Sequence, residues 1–297
     1  MEEKRILVTG SNGLVGTYFC RLSALKKYQV YTLFHLDSTN SGNSISVDLS
    51  NSLGVFKQVL NELEPDIVVH LAAITNVDQC EIERDAADKV NHLSVKELAN
   101  CMANSKECFV LYVSTDYVFD GERGDYKETD NTNPINWYGM TKLLGERELL
   151  ECNSENWCIA RTSTPFGVHA KKLSFPLFVV KNLSQKHEIN VLTDQITSPT
   201  YALNLAEMML ELIDKRVTGI MHLSGSSQIS RFNQALEIAS AYRLDKDLIK
   251  PASINEMKWK ARRPKNSSLN ITKAYNTLTR KPMEFKESLL LFAAELR

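Results

Sequence analysis

Neither sign of charge prevails in this sequence of 297 residues, where 35 lysines and arginines face 36 aspartates and glutamates. A protein built for a polyanion such as DNA carries a basic excess, so no nucleic-acid partner is expected, although a small pocket for one diphosphate would be hidden in that balance. Long apolar runs are also missing. Nothing approaches the ~20 residues that a bilayer-crossing helix needs, so no membrane partner is expected. The opening residues Met1-Glu2-Glu3-Lys4-Arg5 lead straight into a short apolar strand, without the apolar region or small-residue cleavage site of a secretory signal. The expected location is the cytoplasm. Cys-x-x-Cys pairs are absent from the six cysteines, Cys20, Cys80, Cys101, Cys108, Cys152 and Cys158. In a reducing compartment these read as thiols within helices and strands. The histidines show no metal-ligand spacing, so no metal is expected. Glycosylation-like triplets at Asn182, Asn266 and Asn270 carry no weight without secretion. Internal repeats and low-complexity linkers are absent too.

What is present is an ordinary globular composition, 43% hydrophobic and 24% charged, in a chain long enough for one large α/β unit and a modest lobe. Short β-branched runs alternate with helical stretches through the first half. The runs are Arg5 to Thr9, Val30 to Phe34, Ile67 to Leu71, Phe109 to Val113 and Trp157 to Arg161. Being apolar almost throughout, they require cover on both faces, as strands of a parallel sheet have. Helices expected at about 14–27, 52–63, 83–104 and 137–151 are long enough for right-handed crossovers. The fold class is therefore α/β with a doubly wound parallel sheet. After Arg161 the rhythm becomes irregular, punctuated by Pro165, Gly167, Pro176 and Pro199. Residues 1–164 are expected to form a dinucleotide-binding domain and 165–297 mainly a smaller substrate lobe. Runs at Asn190–Thr193 and Ile220–Leu223 suggest that the chain returns to the sheet.

Strand one ends in Val8-Thr9-Gly10-Ser11-Asn12-Gly13-Leu14-Val15-Gly16. Three glycines in a strand-turn-helix context remove side chains where a pyrophosphate would rest on the positive end of a helix. The plainer alternative is a glycine turn needed only for tight packing. Gly10, Asn12, Gly13, Leu14, Val15 and Gly16 are the expected cradle. A carboxylate to grip the adenosine ribose should close strand two, yet that strand ends Leu33-Phe34-His35, with Asp37 beyond it. Nothing there repels a 2′-phosphate, which could sit beside His35 or Ser38, so NADP(H) is favoured slightly over NAD(H).

Tyr138 and Lys142 stand four residues apart on an expected helix and so share one face. An ammonium beside a phenol, together with an oxidised nicotinamide, is expected to pull the phenol's pKa down from ~10, so that it can pass a proton to a substrate oxygen. A second Tyr-x-x-x-Lys, Tyr242 and Lys246, falls near the end of a late helix and reads as surface. The strand before the first copy ends Ser114-Thr115-Asp116-Tyr117. Thr115 there would emerge at the carboxyl end of the sheet and hydrogen-bond the carbonyl. The alternatives are a strand-end turn for Thr115 and a cap for Asp116.

The Gly-x-x-Gly-x-x-Gly spacing with Tyr-x-x-x-Lys resembles the extended short-chain dehydrogenase/reductases, with their Rossmann-type sheet. Ser114 to Gly121, followed by Tyr138 to Lys142, is similar to the dTDP-4-dehydrorhamnose reductase family. Further matches are His70 to Asp78, Asp194 to Tyr201, Gly219 to Gly225 and Arg263 to Leu269. The resemblance implies reduction of a 4-keto group on a nucleotide-linked deoxysugar. It places Asp48 and Leu49 at the adenine, Ala72, Ala73 and Thr75 along the cofactor, and Lys142 at the nicotinamide ribose. Val77, Asp116 and Tyr117 would face the sugar. For Asp48, the alternative is a helix cap before Ser52. At Thr164 the reductases carry a tryptophan that packs on the sugar; its replacement implies a larger pocket and a different or bulkier keto sugar. The pattern around Arg263-Pro264 also resembles the regulatory beta subunit of methionine adenosyltransferase, which implies a non-catalytic cofactor-binding alternative. In extended family members, helices such as 83–104 and 137–151 pair two copies, so a homodimer is possible.

Overall fold

A computed structural model describes residues 3–26, 28–35, 43–104, 107–171 and 173–296. Side chains on β1 (Lys4–Thr9) alternate as a two-sided strand must: Ile6 and Val8 enter one core layer and Leu7 the other. Helix α1 (Leu14–Ser23) ends four residues short of the expected 27. It is followed by β2 (Tyr28–Phe34), a short β3 (Ser44–Ser46), α2 (Leu53–Leu63) and β4 (Ile67–His70).

The helix expected over 83–104 is not continuous. Its region starts earlier, with α3 (Val77–Ile82), and runs through α4 (Arg84–Asp88) and a π-helical turn at Lys89–Leu93 into α5 (Ser94–Asn104). The physical reason lies in Asn91. The wider turn puts its amide in the interior, where it accepts from Ile74 N–H (2.8 Å) and donates to the Ile74 carbonyl (3.1 Å) and Thr141 Oγ1 (3.1 Å).

The chain continues through β5 (Phe109–Thr115), α6 (Trp137–Leu150), β6 (Trp157–Thr162), β7 (Pro165–Phe166), α7 (Phe175–Ser184) and β8 (Ile189–Leu192). Then come β9 (Ile196–Thr197), β10 (Thr200–Tyr201), α8 (Ala202–Asp214), β11 (Gly219–His222) and β12 (Ile229–Ser230). The last elements are α9 (Arg231–Tyr242), β13 (Ile249–Ala252), α10 (Thr272–Thr277) and α11 (Phe285–Glu295).

Seven strands form one sheet in the order β11-β6-β5-β4-β1-β2-β3, and every neighbouring pair is parallel. The order reverses between β1 and β4, and at that switch point the crevice beyond the carboxyl ends of the strands lies open. One layer packs α1 and α8 on the sheet and the other packs α2 and α5. A third core, from α7, α9, α11 and β8, fills the lobe. Of the two late strands expected to rejoin the sheet, β11 does so beside β6, but β8 instead pairs with β13 in a separate two-stranded ribbon. Among the described residues, no helix is long and apolar enough to cross a membrane.

Candidate active site

A cleft of about 1020 Å³ opens at the switch point. Its floor begins at the glycine turn. Gly10 has φ +65°, and a Cβ there would lie 2.7 Å from Ala72 N. A Cβ at Gly16 would lie 2.3 Å from the Gly10 carbonyl, so helix and turn meet too closely for a side chain. Gly13 differs: its Cβ would meet only the Gly10 carbonyl at 3.2 Å, so the fold does not force glycine there, and the open side is the cleft. Helix α1 starts without a side-chain cap and without an acidic residue in its first turn. Its leading amides and the positive end of its dipole are left for an anion.

The second wall comes from the loop after β4. Leu71 and Ala72 N–H groups both donate to Thr9 Oγ1 (3.2 Å each), and the Asn91 amide holds Ile74, so Ala72, Ala73 and Thr75 sit along the cleft on a fixed backbone. His70, fully buried below, bridges Thr9 Oγ1 (2.9 Å) and Ser94 Oγ (3.0 Å). Burial, with Lys142 adding to it, pushes its pKa down to about 3 and keeps the imidazole neutral.

At the far end Asp48 and Leu49 line the cleft. Asp48 does not cap α2. Its carboxylate accepts from Ser50 N–H (2.9 Å), Ser50 Oγ (2.6 Å) and Asn51 Nδ2 (2.8 Å), while Ser52 occupies the cap position without a side-chain bond. The Ser50 hydroxyl is the largest cause holding its pKa below the usual range. His35 Nε2 lies 3.4 Å from the same carboxylate. Asp37 and Ser38 lie outside the described residues.

At the opposite end β5 delivers Thr115 to the cleft and α6 delivers Tyr138 and Lys142. Asn136 caps α6, accepting from Gly139 N–H (2.8 Å), which fixes the start of the helix that carries Tyr138. Thr115 Oγ1 donates to Asp116 Oδ1 (3.0 Å) and accepts from Tyr117 N–H (3.2 Å), so the strand-end turn and the site hydroxyl are one feature. Asp116 is buried and accepts at its other oxygen from Ser163 (2.8 Å) and Ser267 (2.6 Å). Its pKa is nevertheless raised, because desolvation outweighs the three hydroxyls.

The Tyr138 ring packs edge-on to Tyr117, with centroids 5.9 Å apart. The protein's own groups act on its phenol against the acidification that an oxidised nicotinamide would favour. Burial, and then the Asp116 charge, push the pKa up, and contact with Thr115 only moderates the rise. It is the lysine that moves toward neutrality: the Lys142 ammonium, 4.1 Å above the centre of the Tyr112 ring, is brought down to about 7 by burial, with Glu146 one turn further along α6 opposing. Glu146 in turn is locked to Arg161, 2.6 Å between Oε2 and Nη2, both of them buried.

Every expected site residue lines this cleft except Asn12, whose carbonyl instead accepts from His169 Nε2 at 2.9 Å. Val77, Tyr117 and Thr164 border it at the Thr115 end. Thr164 holds a left-handed backbone, φ +40°, unusual strain for a β-branched residue. The second Tyr-x-x-x-Lys is split: α9 ends at Tyr242, and Lys246 lies in a following 3₁₀ turn. Tyr242 packs on the lobe core rather than at the surface.

Sequence reasoning missed Asn91, and it missed Arg231, Gln234 and Phe175, which the lobe brings to the cleft. Asn91 had one visible signal, a polar residue inside an expected helix; the other three had none.

The family described as RmlD substrate binding domain matches residues 4–297. A dTDP-4-dehydrorhamnose reductase from Aggregatibacter actinomycetemcomitans is 31% identical, covering 96% of this chain and 97% of its own. The methionine adenosyltransferase 2 subunit beta of Rattus norvegicus is 29% identical, covering 92% and 82%. The crystal structure of a Bacillus anthracis dTDP-4-dehydrorhamnose reductase in complex with NADP superimposes with a TM-score of 0.87 at 30% identity, over 99% of each chain.

Proposed function

Since the chain belongs to the RmlD substrate-binding domain family, within the extended short-chain dehydrogenase/reductases, we propose that it reduces a 4-keto group on a nucleotide-linked deoxysugar with NADP(H). The observation that carries this reading is the meeting of Thr115, Tyr138 and Lys142 in the same cleft as the glycine cradle.

The cleft fits a dinucleotide because Gly10 and Gly16 let the turn and helix close on each other, while Gly13 leaves the cleft side clear of a Cβ above an uncapped helix start. Gly10, Gly13, Leu14, Val15 and Gly16 would hold the phosphates, Asp48 and Leu49 the adenine, and Ala72, Ala73, Thr75, Tyr138 and Lys142 the nicotinamide half. When bound, the reduced nicotinamide supplies a hydride to the carbonyl carbon. Tyr138 gives the proton: its raised pKa keeps the phenol protonated at neutral pH, and its proton passes to the carbonyl oxygen as the alcohol forms. Thr115 exchanges its bond to Asp116 for one to that oxygen and orients it. Lys142, titrating near 7, can return a proton to the phenolate. Val77, Asp116, Tyr117 and Thr164 border the sugar, and residues 165–297 supply most of that side. The absence of a tryptophan at Thr164 favours a bulkier keto sugar than dehydrorhamnose.

The same reading has the protein working in the cytoplasm, as two copies paired through residues 83–104 and 137–151; the half-exposed Leu150 at the end of α6 supports such pairing. The likeness to a methionine adenosyltransferase beta subunit, over 92% of this chain and 82% of the relative, supports a second reading, a cofactor-binding regulatory partner without turnover. An NADPH-oxidation assay with dTDP-4-keto-6-deoxy sugars decides between them. Oxidation that depends on the sugar is expected; none with any keto sugar, together with co-elution with a methionine adenosyltransferase, would favour the second reading.

A further inference from the structure

We propose that Arg231 is an anion subsite of this cleft, binding negatively charged oxygens of the substrate rather than of the dinucleotide. The proposal rests on the reductase reading and names a substrate contact of the same site. Arg231 opens α9 and, among the described residues, is the one arginine lining the cleft. Its guanidinium lies 4.9 Å over the Phe175 ring. Among the described residues it forms no salt bridge, and its side chain makes one long hydrogen bond, Nη1 to Gln234 Oε1 at 3.4 Å.

Arg231 is partly exposed to the open cleft, and because a guanidinium does not give up its proton, an oxyanion bound there would replace the water that it loses. Burial does disfavour its charge. The carboxylate that acts on it, Asp116, is already committed, turned toward Thr115, Ser163 and Ser267.

The surroundings are built to hold the guanidinium in place. Gln234 Nε2 donates to Thr197 Oγ1 (3.1 Å) and the Ile229 carbonyl (3.2 Å), and Thr164 Oγ1 donates to the same Thr197 oxygen (3.3 Å). A polar chain from Thr164 to Arg231 therefore forms this wall. Arg231 lies within electrostatic reach of Tyr117 and Asp116 at the Thr115 end, whereas the dinucleotide phosphates have their own cradle on α1. The ligand chemistry is an oxyanion, either the diphosphate joining nucleoside to sugar or a carboxylate on the sugar.

Calorimetric titration of the NADP-loaded protein with dTDP, thymidine and glucuronate, in wild type, Arg231→Gln and Arg231→Lys, tests this without turnover. dTDP should bind Arg231→Gln roughly thirtyfold more weakly or worse, with Arg231→Lys partly rescued and thymidine unchanged. NADP affinity and melting temperature should hold in both variants. The same loss for glucuronate instead of dTDP would support the subsite and assign its anion to a sugar carboxylate. Equal binding of both anions to wild type and Arg231→Gln, or a loss of thymidine as large as that of dTDP, would overturn it. Because binding alone is read, an enzyme inactive on keto sugars would refute the reductase reading and leave this result standing.

Discussion

Replacing Lys142 with methionine should cost turnover yet stabilise the fold, by an amount that depends on pH. Lys142 is 2% exposed, and burial lowers its pKa from 10.5 to about 7. Between those values the unfolded chain keeps a proton that the native chain has released, so wild-type stability rises with pH across that window. Below about pH 7 the full penalty of burying the ammonium is present. At ~1.4 kcal/mol per pH unit the drop is equivalent to about 5 kcal/mol at most. The favourable contact over the Tyr112 ring is lost on substitution, while methionine refills most of the stem volume. A net gain of about 4 kcal/mol at pH 6, shrinking toward zero by about pH 10, is expected. Urea unfolding of both proteins at four pH values between these limits measures it. A gain that stays constant with pH, or a loss at pH 6, would refute the reasoning that a desolvated charge sits at this position.

Two further outcomes follow from the same geometry. Gly13→Leu should fold with a small loss of melting temperature, because its Cβ at 3.2 Å makes the Gly10 carbonyl give slightly, but should weaken NADP binding about tenfold or more by crowding the phosphates; fluorescence titration and a melting curve separate the two effects. Arg161→Met should destabilise by about 3–5 kcal/mol, since it strands the buried Glu146 carboxylate, and adding Glu146→Leu should recover most of that loss in chemical denaturation.

The sheet was legible because parallel strands covered on both faces must be apolar in their buried stretch, as Ile6 to Val8 of β1, Ile67 to Val69 of β4 and Phe109 to Val113 of β5 are. The cradle was legible because close backbone approach leaves glycine as the only solution at Gly10 and Gly16. Hidden features depended on contacts between distant segments. β8 looks like a sheet strand, but its partner β13 carries Pro251 and gave no strand signal, so the separate ribbon could not be foreseen. The π turn at Asn91 exists because a loop fifteen or more residues away needs its amide, and Arg231 enters the cleft only once α9 docks beside α7. The protein's own upward push on Tyr138 was hidden for a similar reason: residue spacing reveals the neighbouring lysine, whereas the burial that dominates both groups belongs to the folded chain.

The account depends most on the phenol of Tyr138 as the proton donor. Single-turnover NADPH oxidation with a dTDP-4-keto-6-deoxy sugar, measured for Tyr138→Phe alongside Tyr242→Phe, tests it directly. The expected result is a loss of about 10² to 10⁴ in rate for Tyr138→Phe with NADPH affinity unchanged, and none for Tyr242→Phe. A Tyr138→Phe enzyme that turns over at the wild-type rate would contradict it.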